Sequence, residues 1–341
     1  DRLRFNIGDI EPFFCSGCLY DISKKTKISE NWFFDGNSPD TLKLLGNRFV
    51  NQKETSSKTA LFSVVNPNPD IFLLVRVEKT LRGVELDASL DPYAKGELKS
   101  KDLQKLAKEV AVSITRLGEF LQPFAWGAIQ LFNESGQLVV GDFTQIKLTR
   151  AKSDDTEASV LETIRKRQNK DKKFTGLPCD FVFNFKIIDD EKRKAIDDLI
   201  DPSYLPVNKI ENASCVREIQ DFNEFLDVTV PNLELVNNLY IYPELLNFTK
   251  HKDSNSRNIS IKIEFKENDQ NIDEAGLPVI YGKSSTLAFR PFARTPVIYH
   301  KKNPSFTEEI KIKLPTVITP NSHILFTFSH VICQAKGKAS E

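Results

Sequence analysis

Apolar and polar residues alternate in short, regularly spaced runs over the last third of the chain. The intervals between the runs contain Pro, Asn, Ser and Lys, which are typical of turns. Short alternating strands at regular spacing predict an antiparallel β-sandwich for residues 239–341. The third and fourth runs predict a hairpin with His300, Lys301 and Lys302 at its tip. The five runs are NLYIYPELLNF, RNISIKIEFKE, TPVIYHK, TEEIKIKLP and HILFTFSHVIC.

The first part of the chain mixes strand patterns with one strong helix pattern. Apolar residues fall at helical spacing across residues 100–118, where Ser100 is expected to cap the helix and Gly118 to end it. We therefore predict an α+β, β-rich domain over residues 1–149, and a chain that is mainly β with a few helices. The strand patterns are LRFNIGDI, SGCLYDI, KISENWFFD, KTALFSVV, DIFLLVRVEK, PFAWGAIQLFN and GQLVVGDF.

Residues 150–238 are predicted to form a charged connector followed by an extended segment. Within RAKSDDTEASVLETIRKRQNKDKKFTG, the part ASVLETIRKR predicts one amphipathic helix, and the rest is typical of a mobile linker. CDFVFNFKIID, at 179–189, predicts a strand. The basic cluster in this region lacks the interleaved aromatic residues that stack on bases. A solvated helix face is therefore favoured over a nucleic-acid or membrane site.

The charge balance restricts which anions the chain can attract. Lys plus Arg and Asp plus Glu both number 47, so the net charge is zero and a global basic field for nucleic acid is absent. Any anion site must be local. No apolar run reaches the roughly 18 residues of a membrane span. The chain contains no Met and does not begin with one, so we expect a fragment of a longer protein.

The cysteines raise the possibility of zinc or redox chemistry. The chain has 5 of them, and only Cys15 and Cys18 are close, as CSGC. A zinc site needs a second ligand pair, and no second CxxC or HxxxH is present. A redox motif should open a helix, whereas the residues that follow predict a strand, a turn and a strand. Structural thiols in a reducing cytosol are favoured.

Basic residues concentrate in the loops of the predicted sandwich. Alternate loops of a sandwich gather at the same end, so we expect the first and third loops to converge into a pocket for a multiply charged phosphate headgroup. The middle loop should lie at the other end, and ordinary solvated charge is the alternative interpretation. The loop residues are Lys250, His251, Lys252 and Arg257 in the first, Lys283, Arg290 and Arg294 in the second, and His300, Lys301 and Lys302 in the third.

Metal and enzyme chemistry find little support in the sequence. A calcium site needs several converging carboxylates, and the first loop offers only Asp253. The motifs GxSxG, GxGxxG and HExxH and the phosphate-binding P-loop are all absent. His323 and His330 lie on opposite faces of one predicted strand and are not a metal pair. We predict no catalytic residue, no metal and no cofactor.

Several long motifs resemble those of a known family. LYIYPELLNF…SRNISIKIEF, PVIYGKSS, TPVIYHKKNPSFTEEIKIKLP and HILFTFSHVICQ resemble DOCK homology region 1 of the dedicator-of-cytokinesis proteins. They are most like subfamily C, with the zizimin-like subfamily D next. IGDIEPFFCSGCLYDISKKTKISENWFFD and PFAWGAIQLF resemble the segment that precedes this region in the family, so the resemblance spans nearly the whole chain.

The resemblance implies both a fold and a function. The intact protein would be a guanine-nucleotide exchange factor for the Rho-family GTPases Rac or Cdc42, with its catalytic domain outside this chain. The region present would be a C2-like sandwich that recruits a cytoplasmic protein to membranes through phosphatidylinositol trisphosphate or other acidic phospholipids. The residues implied are Lys250, Lys252, Arg257, Lys301 and Lys302, together with His300 in the same loop, and Lys283 as a second choice.

Two features depart from the family pattern, and one alternative stays open. The chain ends soon after the fifth predicted strand, where a C2 domain has further strands. Headgroup specificity also does not transfer between subfamilies. The alternative function is a protein-interaction scaffold, in which an exposed hairpin, CSGCLYDISKKTKISENWFF, docks a partner.

Overall fold

The structure is a computed structural model that describes most of the chain, and strands are its main elements. The described residues are 3–34, 37–46, 58–168, 176–196, 199–200, 216–222, 236–247, 257–270, 273–283 and 289–333. The helices are α1 (Pro39–Lys43), α2 (Leu86–Ala94), α3 (Ser100–Leu117), α4 (Glu157–Gln168) and α5 (Asp190–Lys194).

The strands follow one another along the whole chain. They are β1 (Arg4–Phe5), β2 (Phe13–Asp21), β3 (Thr26–Lys27), β4 (Trp32–Phe34), β5 (Thr59–Leu61), β6 (Ile71–Thr80), β7 (Leu121–Gln130), β8 (Thr144–Gln145), β9 (Leu148–Arg150), β10 (Cys179–Asp180), β11 (Val182–Phe183), β12 (Leu199–Ile200), β13 (Val216–Glu218), β14 (Asn238–Ile241), β15 (Ile259–Lys266), β16 (Phe292–Arg294), β17 (Ile310–Lys313) and β18 (His323–His330). The prediction of a mainly β chain with a few helices is confirmed.

A 6-stranded antiparallel sheet organises the first part of the chain. Its strand order is β3–β2–β6–β7–β9, and β4 also pairs with β2. The central strand β6 has the sequence IFLLVRVEKT, and every one of its residues is buried. Side chains alternate across a strand, so burial throughout requires cover on both faces of the sheet.

Both faces of β6 are indeed covered, by different elements. On one face Val75 and Val77 share a core with Leu90 of α2 and Val110 of α3. On the other face, Leu74 at the first half of β6 belongs to a smaller core with residues of α4. The second half of that face bears Arg76 and Glu78, which the C-terminal part of the chain covers. Helix α4, predicted within the connector, therefore packs on this sheet.

Helix α3 confirms the predicted helix, with its inward face formed by Leu106, Val110, Ile114 and Leu117. Its start differs from the prediction, because Lys99 takes the N-cap position and makes no side-chain capping bond. Ser100 is the first helical residue and does not cap the helix. Among the described residues, no helix has the length and apolar composition needed to cross a bilayer.

The C-terminal part forms a small antiparallel sandwich, as predicted. One sheet has the order β16–β15–β18 and the other pairs β14 with β17. Isoleucines of β15 and β17 meet between the sheets, since Ile261, Ile263, Ile310 and Ile312 form one buried cluster. This is the arrangement that alternating runs produce when each sheet turns its apolar face inward.

Several predicted elements differ from the structure. The run TPVIYHK is not a strand, because the amides of Thr295 and Val297 bond to two different partners, the carbonyls of Ile261 and Leu121, at 3.0 and 2.7 Å. The predicted hairpin is therefore absent. GQLVVGDF also forms no named strand, and CDFVFNFKIID is divided into β10 and β11. Helix α2 and strand β16 were not predicted.

Candidate anion-binding site

Asn258, just before β15, joins two of the predicted basic loops. Its side chain is buried, and its Oδ1 accepts a hydrogen bond from the backbone amide of His300 at 2.8 Å. Next to it, Nη1 of Arg257 lies 2.7 Å from Nε2 of His300. Arg257, the last residue of the first basic loop, therefore contacts the third basic loop, and the rest of the first loop lies outside the described residues.

The imidazole of His300 bridges opposite charges. A guanidinium only donates hydrogen bonds, so Nε2 of His300 must accept from Arg257. The proton of the neutral ring then lies on Nδ1, which is 3.1 Å from Oε1 of Glu85. His300 has a backbone φ of 59°, a left-handed conformation that is uncommon for a residue with a side chain. The bond to Asn258 helps to hold the residue in this conformation.

The six-stranded sheet and the elements packed on it form the first region of the molecule, and the sandwich with its loops forms the second. Lys301, the next residue, is paired with an acid of the first region. Its Nζ lies 2.7 Å from Oδ1 of Asp154, and this hydrogen bond lowers the pKa of the Asp154 carboxyl. The Asp154 side chain is 79% exposed, so solvent screens the pair. Exposed pairs of this kind contribute only about 0–1 kcal/mol, so a stronger anion is able to replace the carboxylate. Lys302 has no ion-pair partner among the described residues.

A cleft lies beside these contacts, between the sandwich and the first region. Its volume is about 250 Å³. It runs between the start of α2, the turn at 151–153 and the segment 297–301. Acidic, basic and apolar groups are all represented in its wall: Glu85, Asp87, Lys152, His300, Lys301, Leu86, Pro123, Val297 and Tyr299.

Lys283, the second-choice residue, does not join this cluster. Nζ of Lys283 lies 3.1 Å from Glu78 and 3.3 Å from Glu308, and the ammonium also lies over the ring of Phe33. Burial by itself would lower the pKa of Lys283, but the two carboxylates outweigh it and raise the pKa. Lys283 is therefore part of the contact between β6 and the segment before β17. Lys250 and Lys252 lie outside the described residues.

Comparisons with known proteins agree with the resemblance. The family model for the C2 domain in Dock180 and Zizimin proteins matches residues 232–341, which include every predicted basic residue. Dedicator of cytokinesis protein 7 of Homo sapiens is 33% identical over 98% of the chain, and Dedicator of cytokinesis protein 9 of Homo sapiens is 33% identical over 97%. The chain belongs to the dedicator-of-cytokinesis family.

Within this family, the chain covers less than a fifth of the length of its relatives. It spans 18% of the length of protein 7 and 17% of the length of protein 9. Dedicator of cytokinesis protein 8 of Mus musculus is also 33% identical, over 99% of the chain. Equal identity to several dedicators leaves the subfamily unresolved.

The CSGC motif of this dedicator segment has a structural place. Cys15 and Cys18 lie on β2 and belong to the cores on opposite faces of the sheet. The two sulfurs therefore do not share a ligand or form a bond with each other. Burial raises the pKa of Cys18 to about 12, so its thiol stays protonated at neutral pH. No metal-binding group of three or more His, Cys, Asp or Glu side chains occurs in the described ranges.

Sequence reasoning missed a buried ionic contact between the two regions. Lys27 lies 2.6 Å from Glu309, and Lys311 lies 2.7 Å from Glu30. The run TEEIKIKLP was predicted as a strand, and its polar residues Glu309 and Lys311 are buried on the first sheet. The hairpin predicted to be exposed for docking is likewise buried over most of β2. A polar strand face has the same pattern of polar and apolar residues whether water or another protein surface covers it. The sequence therefore carried no signal for this contact.

Proposed function

We propose that this chain is the non-catalytic membrane-targeting and scaffold region of a guanine-nucleotide exchange factor for the Rho-family GTPases Rac or Cdc42. It binds phosphoinositides or other anionic lipids through the basic loops of its C2-like sandwich. The intact protein is then cytoplasmic and peripheral at the membrane, and meets the GTPase through a catalytic domain outside this chain. Nucleic acid, metals and cofactors have no part in this function.

The contact between Arg257 and His300 is the observation that carries the lipid proposal. It supports a single basic site because it joins two loops that are 43 residues apart in sequence. Lys301 and Lys302 follow directly in the same loop, so the proposed basic rim consists of Arg257, His300, Lys301 and Lys302. Such a rim suits a headgroup with several phosphates, which accepts charge-assisted hydrogen bonds from the arginine and the two lysines.

A second candidate function is a protein-interaction scaffold without specific lipid binding. The contacts of His300 with Glu85 and of Lys301 with Asp154 favour it, since both side chains already have acidic partners. On this alternative, the basic rim joins two parts of the exchange factor. The two functions differ in one measurable property, which is affinity for vesicles.

Vesicle co-sedimentation tests the lipid proposal. The chain should bind phosphatidylcholine vesicles that contain phosphatidylinositol trisphosphate more tightly than phosphatidylcholine alone, at physiological salt. The double substitution Lys301→Ala with Lys302→Ala should weaken this binding about five- to tenfold, because each Lys near an anionic surface contributes about 1 kcal/mol and Lys301 must first leave Asp154.

A charge-matched control separates a site from general electrostatics. Lys101→Ala with Lys108→Ala removes the same charge from the exposed surface of α3 and should leave vesicle binding unchanged. Equal binding by the wild type and the Lys301/Lys302 variant, or equal loss in both variants, contradicts a lipid site at the rim. The scaffold alternative then gains support.

The proposal also assigns no exchange activity to this chain. The release of labelled nucleotide from Rac and from Cdc42 should therefore stay at the rate measured without the chain. Full-length exchange factor provides the positive control in the same assay. Release above background with this chain alone contradicts its non-catalytic role.

A further inference from the structure

Two acidic side chains of the first region lie on the basic rim. Glu85 faces the imidazole of His300 at 3.1 Å, and Asp154 accepts from Lys301 at 2.7 Å. We propose that these carboxylates take the places of phosphate groups, so that the anion site lies between the two regions and is closed before a ligand binds. This inference rests on the proposed function and adds to it a regulation of the same site.

The placement of the two acids supports a closing role. Glu85 occupies the N-cap position of α2, yet its side chain makes no capping bond to the helix and faces His300. Asp154 lies in the turn before α4. Two separate elements of the first region thus each direct one carboxylate to neighbouring residues of one loop. Both acids are largely exposed, at 64% and 79%, so a ligand can displace them without disturbing a core.

The cleft offers an additional basic side chain to a ligand that displaces the two carboxylates. Lys152 lines it and has no ion pair within the described part of the chain. A phosphate that displaces Asp154 therefore meets Lys301 and Lys152 together. Phosphate oxygens accept several charge-assisted bonds at once, whereas Glu85 and Asp154 each accept from one side chain of the rim. Lys152 becomes a ligand-binding residue that the C2-like sandwich alone does not contain.

The size of the cleft limits the ligand. Its volume of about 250 Å³ lies below the roughly 300–1,000 Å³ of pockets for drug-sized molecules. The cleft therefore suits a phosphorylated headgroup and not a whole lipid or a folded peptide. A headgroup on a membrane and a soluble inositol phosphate share this chemistry. Vesicles and soluble inositol tetrakisphosphate are the two probes that distinguish these sources.

The test replaces the two carboxylates with neutral amides of the same shape. Glu85→Gln with Asp154→Asn should bind trisphosphate-containing vesicles about three- to tenfold more tightly than the wild type, because no carboxylate competes for His300 and Lys301. Calorimetry with soluble inositol tetrakisphosphate should show a similar gain if the headgroup alone is recognised. A gain confined to vesicles identifies the lipid as the ligand.

A control with the same charge change excludes a general field effect. Glu134→Gln with Asp142→Asn neutralises two exposed acids outside the cleft and should leave affinity near the wild-type value. Adding Lys152→Ala to the opened variant should reverse most of its gain, whereas adding Lys101→Ala should not. Circular dichroism of each variant confirms that the fold is kept.

The outcomes separate this inference from the proposed function. If the wild type binds and the opened variant binds equally well, closure is wrong and the lipid function stands. If the wild type fails to bind and the opened variant binds, closure is supported in its strongest form. Absence of binding by every variant to both probes overturns the lipid function and the closure together.

Discussion

Arg76 shows how a single residue ties the two regions together. Its side chain is 4% exposed and lies on the face of β6 that the C-terminal region covers. Nη1 donates to the Thr307 hydroxyl at 2.8 Å, and Nη2 lies 3.2 Å from Glu308 and 3.4 Å from Glu78. Lys283 pairs with the same two carboxylates, so two cations balance two anions in a buried group.

Removing Arg76 should therefore cost more than removing an exposed arginine. Arg76→Met leaves two buried carboxylates with Lys283 as the cation that remains, and the loss of one partner from a buried pair costs about 3–5 kcal/mol. Urea unfolding measures the change in free energy.

The control for this prediction is Arg165→Met. Arg165 pairs with Asp70 at 3.4 Å on the surface, where its side chain is 51% exposed. The loss of such a pair costs less than about 1 kcal/mol. Equal losses of stability in the two variants rule out the burial argument for Arg76.

At the scale of elements, alternation predicted where strands lie but not what covers their polar faces. The runs containing β6, β15, β17 and β18 all form strands, because apolar residues at every second position need a core on one side. The opposite face of the run that contains β17 carries Glu309 and Lys311, and alternation does not indicate what covers that face. Both residues are buried against the first sheet.

The segment before Lys301 illustrates a second limit of pattern reasoning. TPVIYHK has the composition of a strand, but Val297 packs with Leu81 and Leu117 of the first region. Its backbone bonds to two different elements instead of following one neighbouring strand. Tertiary contacts determine the backbone conformation of this segment, and they override its local strand propensity.

The candidate site was predictable to a similar extent. Loop alternation led to the expectation that the loops of Arg257 and His300 converge, and these two residues are in contact, but the hairpin assumed in that step is absent. The carboxylates of Glu85 and Asp154 come from elements more than 140 residues earlier in the chain. No periodicity relates such distant positions, so their approach to the basic loop required a structure.

At the scale of the whole molecule, the two regions share apolar and ionic contacts. Leu81 and Leu117 of the first region form one cluster with Val297, Val331 and Cys333 of the second. Ion pairs also connect the first sheet with the segment around β17. The boundary predicted at residue 239 stays a prediction, but the contacts across it resemble those within one folded unit.

These shared contacts predict that the chain unfolds in one cooperative step. Trp32 and Trp126 are the 2 tryptophans of the chain, and both are buried in the first sheet. Their fluorescence therefore reports on the first region, while hydrogen exchange at the amides of β15 reports on the second. Both probes should give the same urea midpoint, because opening either region exposes buried charges of the other. A β15 transition at clearly lower urea than the fluorescence change contradicts this coupling.

In Arg76→Met the two midpoints should fall, and they should separate if the buried ion pairs supply most of the coupling.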